Sequence, residues 1–246
     1  MKSVCCLFAL FFSTLAWDTA GSLQASEKKG FGGDAPTTAA LKGHWCYNWT
    51  PRGHSQDGVE FVPMVKGKWD VNPGTLSAIK SSGAKVLLTF NEPERASQGN
   101  ITVAEALNVW PQLVSTGLKL GSPAPSSDGR GSQWLEQFMT GAQQRKLRVD
   151  FLAVHWYRSA NPRDFEAWLA ALHQKWHRPI WITEFNAMYS GGDRVQFARQ
   201  SFRILNRLSF VERYAYFSAP IGQPGALWKD GAHQTLTPLG EDYVKQ

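Results

Sequence analysis

Cysteine is almost missing from the part of this chain that would form a folded body. There are three: Cys5 and Cys6 fall in an apolar N-terminal run, and Cys46 stands alone. A solitary cysteine forms no internal disulfide, so stability has to come from a packed core. Flanked by Trp45 and Tyr47, Cys46 reads as a small buried hydrophobe rather than a nucleophile. Histidine is also sparse, at six, with no ligand-like spacing and no His-Glu-x-x-His run, so no metal is expected. Gly30-Phe31-Gly32-Gly33 lacks the lysine and hydroxyl of a phosphate loop and the third glycine of a dinucleotide fingerprint. No Gly-x-Ser-x-Gly elbow occurs, which removes serine-hydrolase chemistry, and no cofactor is expected. Lys and Arg (26) outnumber Asp and Glu (20) but never form a block. The net +6 is therefore a diffuse surface field that suits a neutral polymer and argues against nucleic acid.

Long hydrophobic runs are missing too, apart from the start. Met1 to Ala16 carries one positive charge and then an apolar stretch too short to span a bilayer, followed by a polar tail. Residues 1–25 are expected to be a secretory signal peptide cleaved after Ala25, leaving 26–246 as one catalytic domain with no integral membrane segment. The product is expected to be a secreted monomer, extracellular or associated with a cell wall.

What is plentiful is aromatic: 11 Trp, 14 Phe and 6 Tyr, more rings than core packing alone requires. Short apolar runs alternate with helical patterns along the chain. Strands are expected at 29–33, 43–49, 60–65 (irregular because of Pro63), 85–90, 118–123, 149–157, 180–184 and 213–217. Thr102 and Glu105 form a capping box, and Pro111 is expected to kink or end the helix they open. Strand and helix alternating for eight rounds, without hairpin signatures, imply an α/β fold: a single imperfect (β/α)8 TIM barrel. The stretch 34–41 is short for a crossover, so its helix is expected to be reduced or absent.

Two apolar runs end in glutamate: Leu87-Leu88-Thr89-Phe90-Asn91-Glu92-Pro93 and Ile180-Trp181-Ile182-Thr183-Glu184. Either glutamate alone could be a solvated strand-end carboxylate. Together, each behind a run too hydrophobic for a surface strand, they place two carboxylates at the barrel face where barrel enzymes carry their chemistry, which is the equipment for glycosidic cleavage. In such a pair the acid, Glu92, is expected to have a raised pKa while Glu184 stays ionised. Asn91 is placed to meet a sugar hydroxyl or orient a carboxylate. His155 and Tyr157 leave a neighbouring strand, and either one reaches the nucleophile or serves only structure. Tyr47, Trp49, Trp156, Trp181, Tyr216 and Trp228 are candidate sugar platforms, with core packing the competing use, and Asn48 lies among them.

The ordered set Tyr47-Asn48-Trp49, Phe61-Val62-Pro63-Met64, Asn91-Glu92-Pro93, Gly121-Ser122-Pro123, Val154-His155-Trp156-Tyr157, Trp181-Ile182-Thr183-Glu184-Phe185 and Tyr216-Phe217 resembles glycoside hydrolase family 128. That resemblance implies an endo-β-1,3-glucanase acting with retention, Glu92 as acid/base and Glu184 as nucleophile, on a β-glucan poly- or oligosaccharide. The short region between the first two strands departs from the pattern at the cleft rim. Because two glutamates fix a reaction and not a linkage, hydrolysis of β-1,4-glucan or mannan is the alternative, and a non-catalytic wall-glucan-binding protein is another.

Overall fold

The computed structural model describes residues 27–56 and 58–246, so the expected signal peptide, with Cys5 and Cys6, lies outside the described residues. The elements run β1 (Lys29–Gly32), α1 (Ala35–Ala40), β2 (Trp45–Tyr47), β3 (Glu60–Phe61), β4 (Met64–Val65), α2 (Pro73–Ser81), β5 (Val86–Asn91), α3 (Val103–Val114) and β6 (Lys119–Ala124). They continue with α4 (Gly129–Gln144), β7 (Leu152–Trp156), α5 (Pro162–Trp176), β8 (Ile180–Phe185), α6 (Arg194–Arg207), β9 (Val211–Tyr216) and α7 (Pro238–Val244). Every pairing between these strands is parallel. No helix among the described residues is long and apolar enough to cross a membrane.

The strands form two sheets, β3-β2-β1-β9-β8-β7 and β4-β5-β6. Pro63 makes the first seam: the expected third strand breaks into β3, which pairs with β2, and β4, which pairs with β5. At the other seam a single parallel bridge, Gly121 to Phe151, joins β6 to β7. Phe151 packs so closely there that a Cβ at Gly121 would lie 2.7 Å from its ring. The α/β barrel expected from the sequence is therefore present in an imperfect form.

Side chains alternate between two cores, as the period of a strand requires. Trp45, Tyr47, Met64, Val86, Leu88, Phe151, Ala153, Trp181 and Ala215 pack together inside the barrel. Val65, Leu87, Val154, Ile180, Ile182 and Tyr214 face outward into a larger core with the helices. Cys46 points away from the interior, into a small cluster with Ala35, Val59 and Phe61.

Pro111 neither ends nor divides α3, which runs on to Val114 with Pro111 inside it; a proline in the third turn forfeits one hydrogen bond, and the capping box and the buried Ala106, Leu107, Trp110 and Leu113 outweigh that loss. The first crossover keeps a reduced helix, as expected: the six-residue α1 capped by Asp34. It is the second crossover, between β2 and β3, that has no helix among the described residues, so the alternation is not complete for eight rounds.

Candidate active site

Glu92 lies one residue beyond β5, in a left-handed backbone conformation (φ +38°). Its amide donates to Ala124 O at 2.8 Å, and Gly99 N closes the loop onto Asn91 O at 2.8 Å. Only glycine fits at position 99, because a Cβ would lie 2.7 Å from that same carbonyl. The carboxylate stands with Oε1 3.5 Å from His155 Nδ1 and Oε2 3.3 Å from Arg95 Nε. Arg95 in turn reaches Asp128 at 3.2 Å.

Glu184 arrives by a local irregularity. Between Ile182 and Phe185, β8 carries one residue more than β9, and between Ile182 and Glu184 one more than β7. This bulge matters because Trp181 faces the barrel interior and Ile182 the helices. Strict alternation would send Glu184 outward, whereas the extra residue turns it into the cleft and puts Phe185 in the outer core.

There the carboxylate is held from both sides. Trp49 Nε1 donates to Oε1 at 2.8 Å and Tyr157 Oη to Oε2 at 2.7 Å, while His155 Nε2 stands 3.6 Å from Oε1. Trp49 is itself in a left-handed conformation (φ +58°), its ring set beside Tyr47 and Phe217. Burial, and then the adjacent Glu184, push the Tyr157 hydroxyl far above the usual phenol range, so it acts as a permanent donor.

His155 is fully buried between the two glutamates, and neither ring nitrogen has a closer partner. Burial works to lower its pKa, but the charge of Glu184 and the contact with Glu92 outweigh it and hold the imidazole above its ordinary value. For Glu92 burial acts upward, and His155 and Arg95 overcome it, so the carboxyl stays below its usual value. This corrects the expectation of a raised pKa on Glu92: His155 and Arg95 beside it decide the sign.

A cleft of about 820 Å³ opens over the pair, lined by Trp49, Lys66, Arg95, Gln98, Tyr157, Tyr189 and Phe217 among others. Several expected platforms lie elsewhere. Trp156 is buried against Phe165 and Trp168 under α5. Trp181 stacks on Phe151 inside the barrel and donates to Glu212. Tyr216 sits in the outer core, bound to Asn186 and Gly225 O, and Trp228 is buried beside His233. Tyr47 supports the ring of Trp49 from below and donates to Thr183 O, without reaching the cleft. Asn48 uses its side chain on the turn at Thr50 and Arg52. Asn91 is buried with its Nδ2 3.4 Å from Gln98 and its Oδ1 unpartnered.

Among the residues that line the cleft, Tyr189, Gln98, Asp128 and Phe217 were not singled out from sequence. Phe217 was within reach, since it alternates with Tyr216 and Ala215 marks the interior face. Tyr189, which is 78% exposed beside Tyr157, lies in a loop with no periodic signal.

A parallel α/β barrel that delivers glutamates from two strands into one aromatic-walled cleft is the architecture of a glycoside hydrolase. The model of the glycosyl hydrolase catalytic core matches residues 15–243. No curated protein sequence matches the chain. Among solved structures, the subgroup I endo-β-1,3-glucanase of Amycolatopsis mediterranei, in complex with laminaritriose, is 34% identical over 89% of this chain and 99% of its own, with a TM-score of 0.78. The subgroup II endo-β-1,3-glucanase of Pseudomonas viridiflava is 30% identical over 89% and 98%, with a TM-score of 0.72. The subgroup III curdlan-specific exo-β-1,3-glucanase of Blastomyces gilchristii is 30% identical over 90% and 99%, also at 0.72. The chain belongs to glycoside hydrolase family 128.

Proposed function

We propose that this protein hydrolyses internal β-1,3-glucosidic bonds of a β-glucan by double displacement, as a monomer exported from its cell by the leader at 1–25. The observation that carries the reading is the unequal support of the two carboxylates. Glu184 receives a short donor on each oxygen, from Trp49 and from Tyr157, which supports reading it as the nucleophile. Glu92 meets only the longer contacts of His155 and Arg95 and stands at the cleft wall, where a glycosidic oxygen can take its proton. The cleft is large for one sugar ring, which favours internal cleavage, the mode of the Amycolatopsis mediterranei and Pseudomonas viridiflava relatives though not of the Blastomyces gilchristii one.

Incubation with β-1,3-glucan, β-1,4-glucan and mannan, followed by product sizing, tests the linkage and the mode. A ladder of β-1,3 oligosaccharides is expected; glucose alone would mean exo action, and activity confined to the other polymers would overturn the substrate. Azide tests the roles. With an activated aryl β-1,3-oligoglucoside, Glu92→Ala should yield the β-glycosyl azide and Glu184→Ala the α-azide, read by proton NMR. The opposite pairing would reverse the assignment.

A further inference from the structure

The double displacement just proposed needs a proton on Glu92, yet the surroundings of Glu92 favour its ionised form. The nearest group able to supply one is His155, whose Nδ1 is 3.5 Å from Glu92 and whose Nε2 is 3.6 Å from Glu184. Its ring is out of contact with water, and neither nitrogen has a hydrogen-bond partner that would fix it to a structural task. The charged and titratable groups around it are Glu92 after β5, Glu94 in the same turn, Glu184 on β8, and Tyr157 on its own strand. Arg95 and Asp128 stand one step further, beyond Glu92.

We propose that the site holds one mobile proton, kept on His155 while the cleft is empty and passed to Glu92 when a glucan chain fills it. The proposal rests on the functional reading above. Its cause is differential desolvation. His155 is already dry and changes little when substrate enters, whereas Glu92 and Arg95 still touch water, with side chains 15% and 37% exposed. Covering Glu92 removes the water that stabilises its charge, and its affinity for the proton rises. Nδ1–H then gives its proton to Glu92 Oε1, leaving a neutral imidazole that keeps hydrogen on Nε2, toward Glu184. Glu92 passes that proton to the departing glycosidic oxygen as the C1–O bond breaks and Glu184 bonds to C1. In the second step Glu92 takes a proton from the attacking water, Glu184 leaves as carboxylate, and the proton returns to His155 as the product departs.

Nitrogen NMR of ¹⁵N-histidine-labelled protein reads the proton directly, with His155 assigned by its absence from the spectrum of His155→Gln. At pH 6 the enzyme without ligand should show an imidazolium, and saturation with a thio-linked β-1,3-oligoglucoside should convert it to the neutral ring. A neutral ring without ligand, or an imidazolium that survives saturation, would overturn the proposal. Kinetics gives an independent arm. The basic limb of kcat/KM reports the proton of the free enzyme, so His155→Gln should move it down by about two pH units, the gap between a histidine and a glutamate. The variant should lose more activity on β-1,3-glucan than on a dinitrophenyl glycoside, whose leaving group needs little protonation. A limb unmoved in a variant with native circular dichroism would refute the relay, whereas wild-type protein inert toward β-1,3-glucan would refute the functional reading instead.

Discussion

Tyr157→Phe isolates one atom of the site. The ring keeps its places against Tyr189 and Phe217, with centroids 5.8 Å away in both cases, and only the hydroxyl that donates to Glu184 Oε2 at 2.7 Å is lost. A hydrogen bond to a charged group contributes about 1.5–3 kcal/mol. At 1.36 kcal/mol per decade, this corresponds to roughly a 10- to 150-fold change in a rate that depends on it. The two chemical steps depend on it differently. In the first, Glu184 spends its charge on C1, so the bond weakens toward the transition state and its absence matters little. In the second, the carboxylate is the leaving group, and the donor stabilises the charge as it reappears. Deglycosylation should therefore slow by roughly one to two decades while glycosylation stays near the wild-type rate. With a dinitrophenyl β-1,3-oligoglucoside, kcat and KM should fall together, kcat/KM should hold, and stopped-flow traces should show a burst close to one equivalent of enzyme. Intact-protein mass spectrometry should find the glycosyl adduct. If kcat/KM fell as far as kcat with no burst and no adduct, Tyr157 would not be acting on the leaving carboxylate.

Three other outcomes follow from the same geometry. Arg95→Met removes a cation that helps hold Glu92 ionised, so the basic limb of kcat/KM should move to higher pH, opposite to the shift expected for His155→Gln; movement in the same direction would break the electrostatic account. Burial pushes the Cys46 thiol up to about 11, so Ellman's reagent should label it only after unfolding, and fast labelling of native protein would contradict its place under Phe61 and Ala35. Lys29, buried with Nζ donating to Tyr243 O at 2.8 Å and Val244 O at 3.2 Å, is lowered by burial, then by Lys42, to about 8. An unfolded lysine binds its proton up to about 10.4, so between those values the unfolded chain holds more protons and the Lys29 contribution to stability rises with pH. Chemical denaturation should show wild type gaining on Lys29→Met from pH 8 to 10, and no relative gain would refute that reading.

The strands that carry the glutamates were legible because a parallel barrel buries both faces of each strand, leaving apolar runs that surface strands never show. Alternation also contained more than was taken from it. In β7, Ala153 and His155 face inward, which already assigns Trp156 to the helix layer; in β9, Ala215 faces inward, which assigns Tyr216 outward and Phe217 to the cleft. Trp181 obeys the inward parity yet lies too deep to meet a ligand, because parity names a face and says nothing of depth along the barrel axis. The bulge at Thr183 and Glu184 was beyond reach, since it exists only relative to the registers of β7 and β9. So was the position of His155 between two glutamates that are distant in sequence, which is a product of three strands closing on one point.

Backbone strain is also present at the same point. Two of the residues with left-handed backbone that are not glycine are Trp49 and Glu92, each in direct contact with the carboxylate pair or part of it. A left-handed residue with a side chain costs roughly 1–2 kcal/mol, and a bulky one persists only where the surroundings over-determine it. Around Glu92 that constraint is visible: its amide is tied to Ala124, its carbonyl accepts from Arg95 N at 3.0 Å, and the loop closes on Asn91 through a position where only glycine fits. Around Trp49 it comes from the indole, fixed by Glu184 at one edge and by Tyr47 and Phe217 on its flanks. The bulge of β8 belongs to the same set. All three departures from regular geometry turn a side chain toward one place, and a relaxed version of any of them would leave the donors or carboxylates aimed elsewhere. Regular strands build the container here, and the irregular residues at their exits determine what it can do.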